Sequence, residues 1–202
     1  MKKLSILCSF FLLTQALFAQ DEEVKEKGFK KEKLFSGGTV NLSFFNNTFL
    51  IGGNPIFGYS LTNWADVGVV ANYNYSSTRD YQYINDRLRQ TNYGGGVFTR
   101  LFPVNFLFAQ AQFEHNFVTQ KFVAPPNSNL QNNTFKTSGN SFLIGGGYTS
   151  GRYPGNNNFF FLALLFDVSN NANSPYTDYL GRPIPVIRAG FNIGLFQGNK
   201  NR

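Results

Sequence analysis

From Gly37 onward the chain alternates apolar residues with small or polar ones at a period of two, over eight segments that mostly run about ten residues. In an extended chain successive side chains point to opposite faces, so each segment reads as a strand with one greasy and one non-greasy face. Val40, Leu42 and Phe44 face away from Thr39, Asn41 and Ser43, and Phe49, Ile51 and Phe57 from Asn54, Gly58 and Ser60. Val67, Val69, Ala71 and Tyr73 oppose Gly68, Asn72 and Asn74, and Tyr93, Val97, Thr99 and Leu101 oppose Gly94, Gly96, Phe98 and Arg100. In the fifth segment Leu107, Ala109, Ala111, Phe113 and Phe117 oppose Gln110, Gln112, Glu114 and Asn116. Two further segments set Phe142, Ile144 and Tyr148 against Leu143, Gly145 and Gly147, and Phe160, Leu162, Leu164 and Phe166 against Ala163 and Asp167. The last is PVIRAGFNIGLF, residues 185–196. An all-β fold follows, and 24 Phe and 10 Tyr in 202 residues suit it.

Alternation alone allows two architectures. A soluble sandwich buries its apolar face and wets the other; a membrane barrel turns the apolar face to lipid and encloses the polar one. Three features favour the barrel. The segments match the ~9–11 residues a tilted strand needs to cross a bilayer, against ~5–6 for an ordinary strand. The second face is rich in Gly, Ser, Asn and Gln, which suits a cramped lumen. The connections alternate between short turns (61–66, 103–105, 151–157) and long polar stretches (77–91, 119–140, 169–185), with a short one at 46–48 breaking the trend. Aromatics also fall where two interfacial girdles would need them: Trp64, Phe102, Phe159 and Phe196 at the turn side, Tyr73, Tyr75, Tyr93 and Phe117 at the loop side. The expectation is a transmembrane antiparallel up-and-down β-barrel of eight strands.

The start of the chain fits export. Lys2 and Lys3 precede an apolar run and then Ala16 and Ala19, the pattern of a signal peptide over residues 1–19, too short to span a bilayer. Cys8, the only cysteine, would leave with it, so no thiol chemistry is expected. Residues 20–35 form a charged segment, 36–196 the barrel and 197–202 a tail. The formal charge of +7 falls to +5 without Lys2 and Lys3. Five acids and five lysines cancel within 21–33, which leaves the excess dispersed and argues against a nucleic-acid partner.

Signal peptide, eight alternating segments and uneven connections together resemble the small eight-stranded outer-membrane β-barrel family of Gram-negative bacteria, with the OmpA/OmpX-type transmembrane fold. The resemblance implies a cell outer-membrane location, contact with outer-membrane lipid and lipopolysaccharide, and a possible outer-membrane protein partner. The closing segment resembles the insertion signal read by the barrel-assembly machinery: polar Arg188, then Gly190, then Phe191, Ile193 and Leu195. The chain departs from many such barrels by running on past Phe196.

Few residues suggest chemistry. His115 is the only histidine and takes the lipid-facing parity; outer-membrane lipid-modifying enzymes use a His with Ser and an acid, but no GxSxG occurs. No catalytic, cofactor or metal site is expected. The runs Gly94-Gly95-Gly96 and Gly145-Gly146-Gly147 lie in strands, so they read as bends or as room for a large lumen neighbour. Arg100, Glu114, Asp167 and Arg188 all take the inward parity and form the expected lumen charge network, with Arg188 pairing Asp167 on the adjacent strand. Eight strands leave little space beyond side chains, so a narrow channel is the second reading and a His115 enzyme the third. The first is a non-enzymatic barrel with a structural, accessory or surface-binding role through its loops. Its binding candidates are Arg79, Asp80, Tyr81, Tyr83, Arg87 and Arg89 in one loop and Tyr176, Tyr179 and Arg182 in another.

Overall fold

The computed structural model describes residues 28–45, 47–171, 173–177, 182–183, 185–197. The expected signal peptide, Tyr179 and most of the tail lie outside them. The described residues from Lys31 onward form one compact unit, in which a 3-10 turn, Lys31–Lys33, leads into the sheet. Eight strands follow: β1 (Leu34–Phe45), β2 (Thr48–Ser60), β3 (Ala65–Arg79), β4 (Arg87–Val104), β5 (Leu107–Val123), β6 (Asn133–Thr149), β7 (Phe159–Asp167) and β8 (Val186–Gly194). Each pairs antiparallel with the next and β8 pairs with β1, closing an up-and-down barrel. β1 begins two residues before the expected barrel start, and Leu195 sits in a bend just past β8.

Closure satisfies the backbone along most of the sheet, and the sequence alternation decides which side chains go inside. On β7, Phe159, Phe161, Ala163, Leu165 and Asp167 are buried, while Phe160, Leu162, Leu164 and Phe166 are exposed. On β5, Gln110, Gln112, Glu114 and Asn116 are buried and Leu107, Phe113 and Phe117 are exposed. The barrel therefore has a polar interior and an apolar exterior through its middle. The interior is less uniformly polar than the sequence suggests, because two hydrophobic clusters fill part of it. Phe102, Phe108, Leu143, Phe159, Phe161, Ala163 and Leu165 form one, and Phe35, Ile56, Val70 and Phe98 the other.

Two aromatics expected on the outward face at the turn-side girdle, Phe102 and Phe159, belong to the first cluster. The reason is parity: Phe102 follows Phe98 and Arg100 by twos, and Phe159 precedes Phe161 and Ala163. Trp64, Phe196, Tyr73, Tyr93 and Phe117 are exposed, with Tyr93 stacked on Phe117 at 5.4 Å between centroids; Tyr75 is half-buried.

The long loops are shorter than expected, because the strands run on. β3 to β6 have 15, 18, 17 and 17 residues, so the connections shrink to 80–86 and 124–132. Paired strands keep their ladder bonds beyond the apolar band, and polar side chains such as Gln90, bonded to Gln120 at 3.0 Å, zip the extension. Only the connection 168–185 stays long, and at the other end 150–158 is longer than 61–64 and 105–106.

Gly58, Gly68 and Gly147 make room for rings as well as for the neighbouring strand. A Cβ on Gly147 would lie 2.7 Å from Phe108 Cζ, and one on Gly68 would lie 2.7 Å from Phe98 Cε1. Gly147 thus has the large lumen neighbour foreseen for its run, and Gly94 would press on Asn116. Gly68→Val should cost about 1–3 kcal/mol by overpacking against Phe98. Urea unfolding of the refolded barrel measures it, and a change at the exposed Val69→Ala should be smaller.

Candidate functional site

Many of the interior polar groups form one connected chain. Because β5 places every second residue inward, Gln110, Gln112, Glu114 and Asn116 stand in a row and bond one another along the strand. Gln110 Nε2 donates to Gln112 Oε1 at 2.6 Å, Gln112 Nε2 to Glu114 Oε1, and Asn116 Nδ2 to Glu114 Oε2 at 3.0 Å. Arg100 enters the row at one end, with Nε donating to Gln110 Oε1 at 2.8 Å and Nη1 to Asn192 Oδ1 at 3.2 Å. Its guanidinium also lies over Phe161, Phe98 and Phe108, at 4.3, 5.0 and 5.3 Å from the ring centroids.

Glu114 is the hub. Arg188 Nη2 donates to Oε1 at 2.9 Å and Tyr176 Oη to Oε2 at 2.6 Å, in addition to the two amides. A fully buried carboxylate surrounded by four donors is a structural acceptor, with its charge matched by one guanidinium. The space around it is nearly filled: a cavity of about 10 Å³ lies among Arg100, Gln110, Gln112 and Arg188. That is at the lower limit for one water.

The expected Arg188–Asp167 pair does not form. Arg188 stands opposite Ala163, and Asp167 opposite Leu143 on β6, so the two are displaced along the strand. Counting back from a hairpin around Tyr176 and Thr177 sets the two opposite, whereas the described residues after β7 fold back onto the barrel and Asp167 organises them. Its carboxylate accepts Phe142 N at 3.0 Å, Ser169 N at 2.9 Å and the hydroxyl of Ser174. Ser174 Oγ also meets Ser141 Oγ at 2.8 Å. Tyr176 consequently turns into the barrel and is not a display residue; its ring is half-buried and its phenol donates to Glu114.

A second ion pair, Asp66 with Arg152, escaped the sequence reading. Arg152 Nη2 lies 2.6 Å from Asp66 Oδ1 and 3.1 Å from Thr62 O, Nη1 donates to Asn63 O, and the guanidinium covers Phe102 at 4.3 Å. Together with Asn157 Nδ2 to Ser60 Oγ at 3.0 Å, it closes the turn end of the barrel. Asp66 shares the inward parity of Gly68 and Asn72, which was a usable signal. Arg152 lies in a turn, where periodicity says nothing.

At the loop end, residues 80–86 are knotted around two carboxylates. Asp86 accepts the backbone N–H of Tyr81 at 2.5 Å, Gln82 at 2.8 Å and Tyr83 at 2.9 Å, and Asp80 accepts that of Asn85 at 2.7 Å. Burial alone would raise the Asp86 pKa, but the N–H groups of Gln82, Tyr83 and Tyr81 outweigh it and hold the carboxyl below its usual value. The knot holds Tyr81, Tyr83 and Ile84 out into solvent. Arg79, Arg87 and Arg89, read as loop residues, stand on the extended ends of β3 and β4. Arg182 is exposed.

His115 faces outward, half-buried, with Nδ1 2.6 Å from Asn140 Oδ1 and its ring edge-on to Phe117. Among the described residues no group of three or more His, Cys, Asp or Glu is placed to hold a metal ion. Of the proposed insertion-signal residues, Arg188 points inward and Phe191 and Ile193 outward, with Gly190 half-buried between them. No family model matches the chain, and a search of curated proteins finds no match to it.

Removing one member of the central pair strands the other. Arg188→Met should destabilise the barrel by about 3–5 kcal/mol, and Glu114→Gln added to it should recover more than half, since the buried charge is then gone. A double-mutant cycle from urea unfolding reads both values. At the loop end, Asp86→Ala should speed hydrogen exchange of the Tyr81, Gln82 and Tyr83 amides about tenfold or more. In the native protein the same protection should hold above the ordinary carboxylate value of 3.8 and be lost as pH falls through the lower folded value.

Proposed function

We propose that this chain is an exported, integral outer-membrane β-barrel protein with a non-enzymatic, structural or surface-binding role. The observation that carries the reading is the inverted polarity of a closed sheet. Val97, Phe160 and Ile187 are 55%, 72% and 68% exposed, while Glu114, Asp167, Arg100 and Arg188 are buried. A water-soluble barrel of this size places apolar side chains inside and polar ones outside. An apolar belt running around a barrel far exceeds the few hundred Å² that soluble monomers expose, and lipid is the solvent that would cover it. Backbone satisfaction by closure fits the same solvent.

Within this reading the turn end faces the periplasm and the loop end the outside, where lipopolysaccharide or another outer-membrane protein would be met. The knotted loop carrying Tyr81, Tyr83 and Ile84 is the candidate contact surface: rigid, aromatic and flanked by Arg79, Arg87 and Arg89. The interior serves as a plug. Arg100 between three Phe rings and Arg188 on Glu114 fill the middle of the barrel and leave a cavity of only about 10 Å³ beside them, which disfavours the channel reading. His115, held by Asn140, has no role in this reading beyond packing.

Expressed in a Gram-negative host, the protein should partition with the outer membrane and migrate differently on a detergent gel with and without boiling. Recovery in the soluble periplasmic fraction would sink the proposal. In planar bilayers the native barrel should show no steady single-channel conductance, and steady steps would count against the plugged interior.

A further inference from the structure

The barrel is closed unevenly. β1 pairs with β8 from Phe35↔Gly194 only as far as Thr39↔Gly190, yet β1 runs on to Phe45 and β8 reaches back to Val186. β8 keeps its other partner throughout, from Phe159↔Asn192 to Leu165↔Val186, and β1 stays paired with β2 up to Phe45↔Thr48. The two strands therefore separate above Thr39 and leave a lateral seam. At the seam a cavity of about 460 Å³ extends from the upper interior to the outer wall, with Val40 on one lip and Ile187 and Ala189 on the other. Its size falls in the ~300–1,000 Å³ range of small-molecule sites.

The lips and the interior differ in chemistry. Val40 and Ile187 are 73% and 68% exposed and belong to the outward apolar belt. Behind them the wall is a cup of neutral hydrogen-bonding groups: Asn41, Asn54, Asn74, Asn92, Gln90 and Ser76. Asn41 Nδ2 bonds Asn74 Oδ1 at 2.8 Å and Asn54 Nδ2 bonds Thr39 Oγ1 at 2.7 Å, so much of the cup is already braced. Asn92 is different. It is 7% exposed, and its carboxamide oxygen has no hydrogen-bond partner. A buried acceptor of this kind calls for a donor. Arg188, the cation among the lining residues, is neutralised by Glu114 at 2.9 Å.

We propose that the seam is a lateral entry for a neutral amphiphile. Its alkyl chain passes between Val40 and Ile187, and its hydroxyl- or amide-bearing head occupies the cup, where a turn of the Asn92 carboxamide brings the buried, unpartnered oxygen to the head's donor. The open strand edges support the same assignment: an unpaired edge at membrane depth is tolerated where it lines a polar cavity, and there a head group can meet it. A phosphocholine head is disfavoured, since it offers Asn92 no donor and its phosphate finds no unpaired cation among the described lining residues. The proposal rests on the membrane reading above, and its test separates the two.

The probe is an alkyl glucoside with a diazirine in its chain, mixed into phosphatidylcholine bilayers holding the barrel and photolysed; labelled residues are mapped by mass spectrometry. The expected result is enrichment on the inward residues Leu50 and Val186 over the outward Phe113 and Leu162. Asn92→Leu should cut that enrichment by up to about tenfold, the upper range for one buried hydrogen bond. Ser76→Trp, which fills the cup, should abolish it, while both variants keep the labelling of Phe113 and Leu162 that reports an inserted barrel. Excess free glucose should not compete; competition would mean a water-soluble sugar and overturn the lateral route. Uniform labelling around the wall, or equal enrichment with a chain-matched phosphocholine probe, would overturn the proposal. Loss of all wall labelling in the native protein would overturn the membrane reading, and this inference with it.

Discussion

The rungs between β1 and β8 turn a meander into a barrel, and everything else depends on them. From Phe35↔Gly194 to Thr39↔Gly190 they join the ends of the sheet and remove the edges that β1 and β8 would otherwise present. Closure gives the sheet an inside. An inside gives the two-residue period its meaning, because every second side chain is then enclosed. A Cβ on Gly37 or Gly190 would run into backbone atoms of the opposite strand, so the two strands meet closely where they pair.

Enclosure creates a problem that the interior side chains solve. Guanidinium and carboxylate groups cut off from water need partners, and β5 supplies them as a ladder from Gln110 to Asn116 with Glu114 as its one charge. Arg188 and Tyr176 reach the same carboxylate from β8 and from the connection before it, so a single group ties three parts of the chain together. Buried networks of this sort stabilise when fully satisfied and destabilise when partly so. The Asp66–Arg152 pair does the same at the turn end, binding two turns that are far apart in sequence.

The fold was legible in the sequence because parity is local. Glu114, Arg100, Asp167 and Arg188 each sit on the side their neighbours dictate, and no knowledge of the rest of the chain is needed to see it. Pairings across the barrel are not local. Arg188 finds Glu114, three strands away around the sheet, through the stagger of a closed barrel, and no count along one hairpin reveals it. The partners of Asp167 are hidden for the same reason, since Ser169 and Ser174 of the connection after it bind back on its carboxylate. Arg152 was invisible because turns carry no period. Strand ends were misjudged where polar pairs such as Gln90 and Gln120 prolong the ladder past the apolar band.

The seam above Thr39 and the plug below it divide the barrel into a closed half and an accessible half, and both acquire their meaning from the solvent on the outer wall. That solvent can be read directly. Nitroxide labels placed one at a time along β5, from Leu107 to Phe117 of the bilayer-reconstituted protein, report collision rates with oxygen and with a water-soluble nickel chelate. A lipid-facing wall gives a period of two, with Ala109, Ala111 and Phe113 favouring oxygen and Gln110, Gln112 and Glu114 shielded from both. Outward sites that favour the nickel chelate would place the apolar belt in water and contradict it.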